Sequence, residues 1–342
     1  MNKLVLVSMV KNESDIIESF VRHHLNVVDE IIIVDHNSCD STKQILECLI
    51  AEGLPIHIST DYRVEQAQSE IMTDLVYRAI NEYNADIVIP LDADEFLINT
   101  QTKEDCRTIL QNLDSMSIYF IDSMNSIPTF DETEKFILWR SCLKSKATQK
   151  SSKIFIGRKV ANRYHIALKQ GNHDILISHR KKKLINFSHC QQLQLAHFPV
   201  RSKEHFMSKM LSGWIANAAR PNKNPQDACH WKFVFDKIIH EKTLSEDEII
   251  KVTSDLYIGD DLEIASLKDY CQYVPIKYAD LISMNPFINL LCLSEALALD
   301  YAHIKSRENN LLFLFKAVIK SIIHSFKYTY FRKIKGVATV TK

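Results

Sequence analysis

Asp92, Asp94 and Glu95 stand in the stretch "IVIPLDADEF", straight after the apolar run Ile87, Val88, Ile89. Charge at the end of a buried strand is costly unless something cationic answers it. Two aspartates one residue apart, held on a tight turn, suit a hard divalent cation. Mn2+ and Mg2+ take carboxylate oxygens and keep positions for water and substrate phosphates. An Asp-x-Asp pair also occurs by chance on solvated loops, so its position in the fold decides. Asp94→Asn is expected to leave the fold intact, because the pair reads as a loop tip.

The elements that must position these acids alternate along the first third of the chain. Residues 4–10, 30–34, 55–59 and 87–91 read as strands with continuous apolar runs. Between them, residues 16–25, 41–49 and 65–83 carry apolar residues at helical spacing. Asn12 or Ser14 is positioned to cap the first helix, and Ser41 or Asp40 the second. Strand–helix alternation with unbroken apolar strands predicts a parallel sheet covered on both faces. Ligands of such sheets bind beyond the carboxyl ends of the strands. The polar clusters "KNE" (11–13), "DHNSCDS" (35–41) and "DADE" (92–95) all follow strands, so they are expected to converge at one edge. Residues 115–195 read as mixed β with polar loops, and 201–302 as mostly helical.

Composition removes several function classes. Lys plus Arg equals Asp plus Glu at 42 each, which argues against a nucleic-acid binder. Glycine is scarce at 6, and no dinucleotide or Walker loop appears. The eight cysteines are scattered without metal or redox spacing, as expected of free thiols in a reducing cytoplasm. No apolar stretch is long enough to span a bilayer.

The segments "VKNESDIIESFVRHHLNVVDEIIIVDHNSCDST" and "ADIVIPLDADEF" resemble the nucleotide-sugar-binding half of GT-A fold glycosyltransferases. More narrowly, the chain is similar to a family 2-like bacterial group with KNE, D-x-x-S-x-D and D-x-D-E-F motifs. The likeness covers residues 1–100 and continues through "GNHD" (171–174) and "HFPVRSKEHFMSK" (197–209). It implies an α/β, GT-A-like (Rossmann-related), mostly parallel sheet flanked by helices, with a helical C-terminal extension. The implied segments are 1–114 for the nucleotide sugar, 115–200 for acceptor and catalysis, 201–310 as a helical extension and 311–342 as a basic tail.

The resemblance also assigns roles. Asp92 and Asp94 hold Mn2+ or Mg2+ against the diphosphate of a nucleotide-sugar donor, a UDP-sugar, and His197 or His173 adds a late ligand. Glu13 lies near the ribose and Asp35 near the base, although His36 stands where many relatives have a second Asp. Gln66 matches a recurring Gln before the long helix. Arg201 and Lys209 pair with phosphate oxygens. Glu95 orients the metal side, touches the sugar, or simply caps the strand end. Asp174 is the expected base for transfer with inversion to a glycan or glycolipid acceptor. His24 matches a family pattern and reads as a packing residue. Competing readings are a sugar-phosphate nucleotidyltransferase, which would want a Gly-rich basic loop after the first strand, and a nucleotide-sugar binder without turnover.

Residues 311–335 read as an amphipathic helix. Phe315, Val318, Ile319, Ile322, Ile323 and Phe326 recur on one side, with Lys316, Lys320, His324 and Lys327 around the other. Such a helix packs on its own domain or on a second copy in a homo-oligomer. Otherwise it lies in an anionic membrane surface, peripheral on the inner face of the cell membrane. The second placement suits surface polysaccharide or lipopolysaccharide assembly.

Overall fold

Apolar runs divide their side chains between the two faces of a sheet, because the strand period is two. In β1 (Leu4–Val10) Leu4 and Leu6 enter one core, while Val5 and Val7 enter another. In β2 (Glu30–Asp35) Ile31 and Ile33 part from Ile32 and Val34 in the same way. Helices α1 (Ile17–His24) and α2 (Thr42–Ala51) supply Phe20, Val21, Leu46 and Leu49 to the first core. Helix α3 (Gln68–Asn81) supplies Met72, Leu75 and Val76 to the second. With β3 (Ile56–Thr60) and β4 (Ile87–Pro90), the four strands run parallel, as the alternation predicts, in the order β3-β2-β1-β4. The computed structural model describes residues 1–342 except 64–66, 103, 131–133, 146–151, 220–228, 242–243, 260, 279–285 and 338–342.

The middle of the chain extends this sheet with β5 (Glu95–Ile98), β6 (Ser117–Pro128), β7 (Ser141–Ser145) and β8 (Ser152–Gly157), with α4 (Cys106–Gln111) after β5. After α5 (Arg158–Tyr164), β9 (Ala167–Leu168) and β10 (Ile175–Leu176) form a small ladder. Helix α6 (His179–Lys182) leads into β11 (Asn186–His197). Here the parallel character gives way: β8 runs antiparallel to β4 and β6, and β11 runs antiparallel to β5 but parallel to β6. The result is an α/β fold whose first half is parallel and whose second half is mixed.

Helices α7 (Lys203–Ala218), α8 (Cys229–Glu241) and α9 (Glu246–Thr253) share a third core of Phe206, Met210, Val234 and Ile249. Strand β12 (Leu262–Ser266) returns to pair with β7, a strand inside a region that reads as helical. The last helix, α10 (Pro286–Val337), follows. The chain divides into two compact units, Met1–Leu291 and Cys292–Lys342, so the expected boundaries at 114 and 200 fall inside the first. Among the described residues no helix is long and apolar enough to cross a membrane. All eight cysteines are free.

One capping expectation is corrected and one is met. Neither Asn12 nor Ser14 caps α1, whose N-cap position is Ile16 with no side-chain bond. The second loop serves that entry instead. Thr42 Oγ1 accepts from Glu13 N (2.8 Å) and Asp40 Oδ2 from Ser14 N (3.1 Å). At α2, Ser41 holds the N-cap position without a side-chain bond, and Asp40 accepts from Thr42 N at 2.9 Å.

Candidate active site

The parallel strands deliver their polar clusters to one edge. β1 and β2 are in register through Val10 and Asp35, and their following loops are stitched together. Asn12 N donates to Ser38 Oγ (2.9 Å), and Cys39 N donates to Asn12 Oδ1 (2.8 Å). Asn12 and Asn37 sit at φ 56° and 55°. Asparagine tolerates this left-handed turn better than most side chains.

The acid cluster follows β4. Asp92 Oδ1 accepts from Gln68 Nε2 (2.9 Å), and Asp92 Oδ2 pairs with Lys153 Nζ (2.5 Å). The same ammonium lies 3.0 Å from Glu95, whose other oxygen accepts from Asp92 N at 3.1 Å. Glu95 is 1% exposed. Burial pushes its carboxyl up to about 7, with Lys153 opposing. Glu95 therefore shapes the turn that presents Asp92. Burial works against the Lys153 charge, but Asp92 and Glu95 outweigh it and raise its pKa above the ordinary lysine value.

Asp94 is 5% exposed rather than at a free loop tip, which corrects the expectation that its replacement is structurally neutral. Its Oδ2 lies 2.8 Å from Lys209 Nζ, 3.4 Å from His197 Nε2 and 4.0 Å from Arg201 Nη1. Burial alone would raise its pKa, but Lys209, with Arg201 close by, holds it well below the usual carboxylate range.

Arg201 and Lys209 are both in the site, close to Asp94. Arg201 donates from Nε and Nη2 to Asp15 (2.7 and 2.9 Å) and from Nη2 to Glu13. Its Nη1 is buried and makes no hydrogen bond among the described residues. Burial pushes Glu13 up to about 7 against the pull of Arg201. Arg201 is thus a clamp between the β1 end and the segment after β11, with one donor left toward Asp94.

His197 sits opposite Asn125, with Nδ1 2.6 Å from Asn125 Oδ1. His173 Nδ1 meets the Ser152 carbonyl (2.7 Å), and burial beside the Lys153 charge lowers the pKa of that ring. Gln68 Oε1 accepts from Gly171 N (3.0 Å), so one glutamine joins Asp92 to the 170–174 turn. A cavity of about 410 Å³ adjoins Gln68, Ser69 and Thr73. Asp174 is bound by Lys169 (2.9 Å) and Lys182 (2.6 Å). Burial opposes its charge, yet these lysines keep its carboxyl below the ordinary value. Asp35 is 3% exposed, its Oδ2 accepts from Ser38 N (3.3 Å), and its Oδ1 is buried without a partner among the described residues. Gln66 lies outside the described residues.

Lys153, Gln68 and Asn125 do not stand out in the sequence reading. Lys153 had a signal: it shares a strand face with buried Phe155, and a buried lysine demands a carboxylate. Gln68 and Asn125 carry none, because their partners lie 24 and 72 residues away.

Do these residues fit a divalent cation? Among the described residues no group of three or more His, Cys, Asp or Glu is gathered to hold one unaided. Nucleotide-bound ions need only one or two carboxylates, because phosphates complete the shell. Asp94 Oδ2 and His197 Nε2 face each other at 3.4 Å, and Asp92 is close by in sequence on the same turn. Carboxylate oxygen with imidazole nitrogen is a donor set that Mn2+ accepts. The residues fit such a group.

No protein-family model matches the chain, and no curated protein matches it. Among solved structures it is similar to a mannosyltransferase from Pyrobaculum calidifontis in complex with GDP-Man and Mn2+. That match has 10% identity and a TM-score of 0.38, over 75% of this chain and 80% of that one. It is also similar to glucosyl-3-phosphoglycerate synthase from Mycobacterium tuberculosis with Mn2+, UDP and glucosyl-3-phosphoglycerate, at 18% identity and a TM-score of 0.24. There it covers 36% of this chain and 44% of that one. GalNAc-T7 with UDP, GalNAc and Mn2+ matches at 12% identity and a TM-score of 0.38, over 74% of this chain and 58% of that one. The chain thus spans about half the length of the latter two proteins. Likeness at these scores is not evidence of a shared ligand or reaction.

Proposed function

We propose that this protein is a metal-dependent glycosyltransferase of the GT-A type. It moves a sugar from a nucleotide donor, a UDP-sugar, to a carbohydrate acceptor with inversion. The observation that carries the reading is the pairing of Asp94 Oδ2 with His197 Nε2, at the edge where the parallel strands end. A divalent ion held there supplies charge neutralisation for the departing diphosphate. Mn2+ suits the histidine better than Mg2+ does, although both take the two aspartates.

The chain's own residues do the rest. Lys153 and Gln68 fix Asp92, and Glu95 holds the turn. Lys209 keeps Asp94 ionised and stands ready to pair with a phosphate oxygen. Asp35, with one oxygen lacking a partner among the described residues, is the proposed contact to the base, and Glu13 the proposed contact to the ribose. Asp174 is the proposed base. Held acidic by Lys169 and Lys182, it takes the acceptor proton late, when an oxocarbenium-like centre has already made that hydroxyl acidic.

A nucleotidyltransferase would place cations at the end of β1. Here Glu13 and Asp15 stand there, and two of the Arg201 nitrogens are spent on them. Incubation with Mn2+ and a panel of nucleotide sugars tests the reading. Slow donor hydrolysis is expected for one UDP-sugar. Tight donor binding without turnover would replace the enzyme with a donor-binding protein.

In the same reading the acceptor is a glycolipid or surface polysaccharide met at the cytoplasmic face of a membrane. Two features support this. Leu311, Leu312, Phe315 and Ile319 on α10 are exposed beside a chain free of acids after Glu308. In the first unit, exposed Leu176 and Leu184 flank the basic run His179, Arg180, Lys181, Lys182 and Lys183. Lys182 is taken by Asp174, but apolar side chains beside the remaining positive charge suit an anionic bilayer surface.

A further inference from the structure

We infer that Asn125 is a positioning residue that fixes the His197 ring as its Nδ1–H tautomer, leaving Nε2 to ligate the divalent cation beside Asp94. The ligation half rests on the proposed metal-dependent reading. The tautomer half does not.

The geometry is a directed chain of hydrogen bonds. Asn125 Nδ2 donates to the Tyr257 carbonyl at 2.7 Å. A carbonyl only accepts, so this contact fixes which end of the amide faces away. The other end, Oδ1, lies 2.6 Å from His197 Nδ1. That oxygen also only accepts, so Nδ1 carries the hydrogen. In the neutral ring the lone pair then sits on Nε2, which faces Asp94 Oδ2 at 3.4 Å. Two lone-pair donors face each other there. Without Asn125, the favoured neutral tautomer is the opposite one. Nε2–H would donate to Asp94, and the nitrogen would be lost as a ligand.

The backbone shows that the pairing is built. Asn125 and His197 are direct cross-strand partners of the parallel β6–β11 ladder. They are so only because β11 carries a register irregularity between His189 and Gln194. Before it, Asn186 lies opposite Ser117. After it, Gln194 lies opposite Asp122. Without that shift of three residues, His197 would face Pro128, whose side chain offers no acceptor. Bulges next to functional sites commonly re-aim one side chain in this way. Polar partners that orient a ligating imidazole typically change metal affinity 10–100-fold when removed. Tyr257 belongs to the segment Ser254–Ile258 after α9, so the chain of bonds ties the helical region of the first unit to the cation position.

The test uses the full chain with Asn125→Leu, which has no acceptor, and Asn125→Asp, which keeps one. Long-range proton–nitrogen NMR of the metal-free protein at pH 8 reads the His197 tautomer, assigned by difference from His197→Gln. Titration of Mn2+ in the presence of UDP, followed by electron paramagnetic resonance, reads the affinity. The Nδ1–H form is expected in wild type and Asn125→Asp, and the Nε2–H form in Asn125→Leu. Mn2+ affinity is expected to fall roughly 10–100-fold in Asn125→Leu and only a few-fold in Asn125→Asp. An Nε2–H ring in wild type, or an unchanged tautomer in Asn125→Leu, overturns the inference. Equal Mn2+ affinity in both variants overturns its ligation half. Wild type that binds no Mn2+ with UDP defeats the metal-dependent reading, while the tautomer spectra still decide what Asn125 does.

Discussion

Arg201 donates to Glu13 across 188 residues of chain, and the same guanidinium grips Asp15 with two further bonds. The arginine is 2% exposed. Removing one partner of a buried ion pair leaves the other uncompensated, a loss of about 3–5 kcal/mol. Arg201→Ala is therefore expected to lower the urea midpoint sharply at neutral pH, before any question of donor binding arises. A midpoint within error of wild type would show that the clamp is not structural.

The acid pair gives the second prediction. Asp94→Asn is expected to abolish most transfer, as is excess chelator with wild type. Because Asp94 offsets Lys209 and sits near Arg201, the variant should also lose stability, unlike a change at a loop tip. Full activity of the variant, or of wild type in chelator, ends the metal assignment.

Asp174→Asn separates base from scaffold. If Asp174 takes the acceptor proton, the chemical step falls by orders of magnitude while donor affinity stays near normal. Near-normal turnover would leave Asp174 as the anchor of Lys169 and Lys182 alone.

His23 and His24 make the fold acid-labile. His23 donates to the Leu97 carbonyl. His24 donates from Nδ1 to the Phe20 carbonyl and accepts from Leu97 N at Nε2, so its neutral ring is fully bonded. Burial lowers His23 to about 4 and His24 well below its usual value. The unfolded chain binds these protons below pH 6.5 and the folded chain does not. Stability is thus fully present above pH 6.5 and lost as pH falls toward 4. His23 alone accounts for about 3 kcal/mol of that loss. Urea unfolding between pH 7 and 4.5 should show the slope, and His23→Leu should flatten it. An unchanged slope in the variant rules His23 out as the cause.

The tail predicts salt-sensitive binding to vesicles containing anionic lipid, lost on truncation after Asn310. If full-length and truncated chains both ignore such vesicles, α10 has another role. Binding that survives truncation but not charge reversal at Arg180 and Lys181 would shift it to the first unit.

Much of the acid side was legible because it is local. Asp92 and Asp94 announce themselves by spacing, and the strands before them by unbroken apolar runs. That β1 to β4 run parallel follows from the same alternation; their order does not. The cation side was legible only in part: the later motifs gave Arg201, Lys209 and His197, which meet at Asp94, but not their partners. Lys153 meets Asp92 at a separation of 61 residues, and His197 meets Asn125 only through a register shift that no local pattern encodes. Capping failed for a related reason: the polar groups at the start of α1 are answered by Asp40 and Thr42 from the next loop. Strand β12 was missed because its pairing with β7, more than a hundred residues earlier, overrides the helical character around it.

The Arg201 clamp has a consequence for the order in which the molecule is made. Glu13, Asp15, Asp92, Asp94 and Glu95 all precede residue 96, while Lys153, Arg201 and Lys209 all follow residue 152. A chain emerging from its amino end presents these anions first, before the basic side chains that answer them in the fold. The early strands can pair, but their shared edge repels itself until the later lysines and arginine arrive. Synthesis thus closes this pocket last, and a fragment stopping short of Arg201 inherits the acids without the charge that lets them sit together.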